Sequence, residues 1–157
     1  MQNNKKWNLE KIKKKIGEIK CISDLELKEI LKPNGIADTL ARSLKCSKEG
    51  KTLKITQLRK IFNEIKNLTD NNIRDKEQKL LILWRLYPII TYIEARELIP
   101  PFFAKILNDI LQKTENCQDF DKALTTLNDF MTALYAYFKK YESLKKEKVK
   151  KICSKGG

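Results

Sequence analysis

The chain has 157 residues, 41% of them hydrophobic, a formal charge of +13 and no histidine. This length suits one domain with a real core, and only five Gly and four Pro leave little material for the turns of an all-β protein. The missing imidazole removes the usual general base of hydrolases and ribonucleases and every histidine metal ligand.

No run of 18 apolar residues and no apolar core behind the N-terminal lysines is present, so neither a membrane span nor a secretory signal is expected. Cys21, Cys46, Cys117 and Cys153 lie far apart, in no metal-type or redox spacing. They read as four reduced thiols of a cytoplasmic protein. The charge is concentrated at the ends: residues 1–20 carry +5, residues 139–157 carry +6, and the 118 residues between them carry +2. Such ends either favour polyanion partners, through counterion release from phosphates, or are solvated lysine tails.

In chain order, Leu9, Ile12, Ile16 and Ile19 fall on one face of a basic amphipathic segment spanning residues 1–20, weakened at Gly17. It suits a membrane surface or a partner helix, or packs on its own domain. Ser23-Asp24-Leu25-Glu26 has capping-box form, and the helix after it should stop at Lys32, before the turn residues Pro33-Asn34-Gly35. Ile36, Leu40, Ala41 and Leu44 give the next helical face, and Cys46 to Leu53 reads as a loop. Thr56 suits an N-cap, with Leu58, Ile61, Phe62, Ile65 and Leu68 facing inward and Asp70-Asn71-Asn72 ending the element.

From Asp75 to Leu98 the pattern is helical again, with Pro88 expected to kink or break it. Leu80, Leu81, Trp84 and Tyr87, then Ile89, Ile93 and the stem of Tyr92, mark its apolar side. Pro101 suits the first position of a helix carrying Phe103, Ile106, Leu107, Ile110 and Leu111. Asp119 is a cap for the longest element. There Phe120, Leu124, Leu127, Met131, Leu134, Phe138 and Tyr141 form a heptad-like stripe, widened by Ala123, Phe130 and Tyr137. A stripe this wide leaves room for a homodimer. The fold expected is all-α, a single-domain bundle of about five main helices over residues 21–145, with short N-terminal helices and a basic flexible tail over 146–157.

The chemistry of a catalyst is missing. The glycines are too scattered for a phosphate loop, the cysteines lack a partner base, and the carboxylate pairs Asp119/Asp121 and Glu94/Glu97 read as solvated. No catalytic residue, metal or cofactor is expected, and the chain does not read as an enzyme.

Three segments carry a resemblance: Thr56-Gln57-Leu58-Arg59-Lys60-Ile61-Phe62, Tyr92-Ile93-Glu94-Ala95-Arg96, and Phe130 to Tyr141 (FMTALYAYFKKY). In this order they resemble the small helical subunit of the type III-A CRISPR interference complex, the Csm effector, over roughly residues 36 to 141. The chain departs from that pattern at Ile93 and Glu94, where the family has small residues, and at Thr132 and Phe138. The resemblance implies a noncatalytic RNA-binding subunit of an antiviral defence complex, present in stacked copies along a filament with other Csm subunits. The copies would line the groove that holds the guide RNA–target RNA duplex, reading backbone charge and A-form shape while pairing carries sequence.

Within that reading, Arg59 and Lys60 in the first turns of their helix are the leading phosphate contacts, with Lys66 a lesser one. Arg96 either binds phosphate or pairs with a nearby acid. Lys139 and Lys140 sit on opposite edges of the last long helix, so at least one reaches solvent. Tyr92 and Tyr137 either stack on bases or are core aromatics with a hydroxyl at the surface. Two other functions compete: the small subunit of the related type III-B effector, and a basic helical protein- or membrane-interaction module.

Overall fold

A computed structural model describes residues 6–47, 53–69 and 75–155. Most of the expected loop between Cys46 and Leu53, and the helix end expected at Asp70-Asn71-Asn72, lie outside the described residues. The helices are α1 (Leu9–Glu18), α2 (Leu27–Leu31), α3 (Ile36–Cys46), α4 (Ile55–Thr69), α5 (Lys76–Ala95), α6 (Pro101–Glu115), α7 (Phe120–Glu142) and α8 (Lys146–Lys155), with a 3-10 turn at Ile22–Asp24. No strand occurs among the described residues. The all-α expectation holds, with α3 to α7 as the main helices.

The bundle is organised around α7. Asp119 caps it by accepting from the backbone N–H of Lys122 at 3.1 Å. Every member of the heptad-like stripe is buried, together with Ala123 and Phe130. α3 and α4 supply most of the cover, with α6, α2 and the 3-10 turn completing it. One chain therefore covers the whole stripe, which removes the reason for expecting a dimer along it.

α1 is capped by Asn8, whose side chain accepts from the Lys11 N–H at 2.9 Å. It buries Ile12 and Ile16 against α6 and α3. The apolar face that a membrane surface would need is thus taken up by the protein's own core. The capping box lies two residues earlier than expected: Asp24 accepts from the Cys21 N–H at 3.1 Å, and α2 starts without a side-chain cap. Turn chemistry at Pro33-Asn34-Gly35 is as expected. Asn34 adopts φ 63°, and a Cβ on Gly35 would lie 2.3 Å from the Glu29 carbonyl oxygen.

α4 begins at Ile55, so Thr56 is inside the helix rather than capping it. Pro88 does not break α5, which runs unbroken for 20 residues. Its buried face is Leu83, Leu86, Ile90 and Ile93, whereas Leu81 and Trp84 are 47% and 49% exposed. The reason is that apolar residues surround nearly the whole circumference of α5, so spacing selects no face and packing decides. Trp84 Nε1 and the Tyr87 hydroxyl both donate to Glu115, at 2.6 and 3.0 Å, tying α5 to the end of α6. Pro101 does open α6, and all five residues expected on its core face are buried.

Two expectations are overturned. The cysteines are not reduced thiols: Cys21 is bonded to Cys117 and Cys46 to Cys153, with Cα–Cα distances of 5.1 and 5.4 Å. Partners separated by 96 and 107 residues cannot be recognised from local spacing, because only the closed fold brings them together. Residues 146–155, expected as a flexible tail, form α8 after a short break at residues 143–145. No helix among the described residues is long and apolar enough to cross a membrane.

Candidate nucleic-acid interface

The outer side of α4 is set by what its inner side must bury. Leu58, Ile61, Ile65 and Leu68 face the core, which leaves Arg59, Lys60, Asn63 and Lys66 exposed. Seven residues separate Arg59 from Lys66, two turns of helix, so the two cations share one side.

Arg59 is held in place. Its Nε donates to the hydroxyl of Tyr135 on α7 at 3.0 Å, with the guanidinium carbon 6.0 Å from the centre of that ring. Tyr135 is stacked in turn on Phe62, with ring centroids 5.3 Å apart and planes 14° from parallel. The guanidinium therefore stands on an aromatic platform shared by α4 and α7, with its terminal nitrogens available to an acceptor. Lys139 lies one turn beyond Tyr135 on the same side of α7 and is exposed.

The other candidates lie elsewhere. Lys140 is exposed as well, with its ammonium 5.7 Å over the ring of Tyr141. Arg96 caps the C-terminus of α5 and reaches back to Tyr92, its Nη1 donating to the hydroxyl at 3.4 Å and its guanidinium 5.6 Å from the ring centre. Neither of the two readings of Arg96 foresaw an aromatic partner. Among the described residues the salt bridges are Lys13–Glu10, Lys14–Glu18, Lys45–Glu142 and Lys79–Asp121. None of the six candidate cations is neutralised this way, whereas α3 and the start of α5 use their lysines to pair with α7.

The tyrosines divide. Tyr92 is 61% exposed and is no core residue. Tyr137 is half-buried and donates to the Leu31 carbonyl at 2.7 Å. Burial, with the nearby Asp38 charge, pushes its phenol up. Tyr141 is buried and donates to Asp38. Burial chiefly, then this bond, pushes its phenol well above the ordinary range, with Arg42 opposing. Both hydroxyls are thus occupied in holding α7 to the α2–α3 turn. Tyr135 and Phe62 are the residues that sequence reasoning missed. The available signal was an aromatic on the edge of the α7 stripe, which does not reveal its partner on α4.

Among the described residues these cations are exposed and without a carboxylate partner, and Arg59 stands on an aromatic base; groups of this kind can bind phosphate oxygens and stack on planar groups. Among the described residues no three His, Cys, Asp or Glu side chains converge as a metal site would require. Asp119 is occupied as a cap, and Asp121 in the pair with Lys79.

A model of the Csm2 type III-A family matches residues 26–144. The match takes in α2 to α7 and all six candidate cations, and leaves α1 and α8 outside it. No curated protein and no solved structure matches the chain. A match over three quarters of the sequence, on the all-helical scaffold that carries the three quoted segments, places the chain in the Csm2 family, the small subunit of the type III-A CRISPR Csm effector complex.

Proposed function

We propose that this subunit is a noncatalytic RNA-binding element of the cytoplasmic effector. It is present in stacked copies that hold the guide RNA–target RNA duplex through its backbone, beside the Csm subunits that cut. The observation that carries this reading is the Arg59 guanidinium, fixed by Tyr135 and without a carboxylate partner among the described residues, beside exposed Lys60, Lys66 and Lys139. Side chains that are held in place yet unneutralised suit a partner with regularly spaced negative charge. Cations spaced along one helix side suit recognition of a nucleic-acid backbone by shape and charge.

Arg59→Ala and Lys60→Ala test this in the assembled complex. Each should weaken association with target RNA to a similar extent whatever its sequence, and lower the slope of log affinity against log salt by about one ion. Wild-type slope and affinity in both variants would show that the duplex lies on another face.

A further inference from the structure

α8 is attached to the rest of the protein unlike any other helix. Of its residues 146–154 none is buried; only Val149, Ile152 and Cys153 are even half-buried. No salt bridge among the described residues involves it. Its sequence, KEKVKKICSK, carries five Lys against one Glu. Ile152 and Cys153 line the edge of a groove of about 1250 Å³ between α1, α2 and α3, whose walls include Trp7, Lys11, Lys28, Lys32 and Arg42. A basic helix thus lies at the edge of a groove whose walls carry both signs, Glu10, Glu26 and Glu29 among them, and no ion pair among the described residues ties it there.

What holds it is the bond from Cys153 to Cys46, the last residue of α3. A ten-residue helix with so little packing is marginal in water when released, since nucleation is costly and no tertiary face repays it. The second disulfide differs. Cys117 is itself buried, and Ile22, Leu25 and Phe120 beside the Cys21–Cys117 bond are buried too, so packing holds those elements without it.

We propose that Cys46–Cys153 is a redox latch. Oxidised, it holds α8 over the groove; reduced by a dithiol, it releases α8, which unfolds and opens the groove between α1, α2 and α3. In the reduction a thiolate of the dithiol attacks one sulfur of the bond, giving a mixed disulfide and a Cys thiolate. The second thiol of the reductant then displaces the other cysteine. The reductant leaves as a disulfide, and the protein gains two electrons and two protons. Cys21–Cys117 has no part in this motion.

Hydrogen–deuterium exchange on the full chain tests the latch, comparing the air-oxidised protein, the same protein in dithiothreitol, Cys153→Ser and Cys21→Ser. The expected result is protected α8 amides in the oxidised protein and in Cys21→Ser. In Cys153→Ser and in dithiothreitol they should exchange at least tenfold faster, with α7 protection retained. Equal α8 exchange in Cys153→Ser and oxidised wild type would overturn the proposal. So would loss of α7 protection alongside α8, which would make the bond a global brace, or alkylation of Cys153 as a free thiol in the oxidised protein.

Discussion

The hydroxyl of Tyr141 donates to Oδ1 of Asp38, joining the last turn of α7 to the first turn of α3 across 103 residues of sequence. The other carboxylate oxygen accepts from the Asn34 backbone N–H at 2.7 Å. A buried acid is thereby satisfied from two elements, and the end of the central helix is fixed to the turn that starts α3.

Tyr141→Phe should cost about 1–3 kcal/mol in urea unfolding, because the buried Asp38 oxygen loses its donor while the ring volume stays. The folded protein raises the Tyr141 phenol above its ordinary value of 10.0, so the neutral form is the one the fold favours. The resulting stability is complete below that value and is lost as pH rises through and beyond it. Wild type should therefore lose more stability than Tyr141→Phe between about pH 9 and 11. Tyr87, raised by burial and by its bond to Glu115, contributes equally to both proteins. Parallel losses would contradict the account.

Gly35→Ala and Gly17→Ala should have opposite signs. A Cβ at Gly35 would lie 2.3 and 2.7 Å from the carbonyl oxygens of Glu29 and Lys32, backbone atoms that cannot step aside. At least about 2 kcal/mol should be lost there. A Cβ at Gly17 meets nothing within 4 Å, and the position is exposed in the last turn of α1. That change should gain up to about 0.5 kcal/mol, less than the helix-interior value because the last turn frays. Urea midpoints of the two variants decide the matter.

Leu134→Ala, at a fully buried position of α7, should lower stability by about 2–5 kcal/mol. Leu81→Ala, on the exposed side of α5, should change it by no more than about 0.5 kcal/mol. Comparable losses at the two sites would mean that the α5 face is covered within the chain.

Tyr135→Phe separates charge from positioning. The variant keeps the ring stacked on Phe62 and keeps the Arg59 charge, but removes the hydroxyl that accepts from Nε. RNA affinity in the assembled complex should fall by less than in Arg59→Ala, with the salt slope unchanged. A slope change in Tyr135→Phe would show that the hydroxyl does more than orient the guanidinium.

Where helices carried a single clear stripe, the fold was legible in the sequence. The 3.6-residue period of α7 named every apolar residue it buries, though it missed buried Thr126 and included half-buried Tyr137, and Pro33-Asn34-Gly35, Pro101 and Asp119 marked their boundaries through local stereochemistry. α5 was misread because apolar residues surround it, and periodicity has no preference on a uniform cylinder. The disulfides were invisible because their partners are about a hundred residues apart and meet only through α3, α6 and α8. Of the candidate interface, exposure of the α4 cations followed from the inward stripe. The Tyr135 platform beneath Arg59 did not, since it depends on how α4 and α7 are aligned.

α7 sits at the centre of the bundle yet follows α3 and α4, the helices it covers, and this governs how the protein is made. Ile36, Leu40 and Leu44 bury themselves mainly against a helix that begins at Phe120. At about 5–20 residues per second, translation leaves some 5–20 s between the emergence of α3 and that of its partner. During that interval α3 and α4 carry uncovered apolar faces. The core therefore closes only once α7 has been made, and a nascent chain stalled before α7 should be the species most exposed to aggregation and proteolysis.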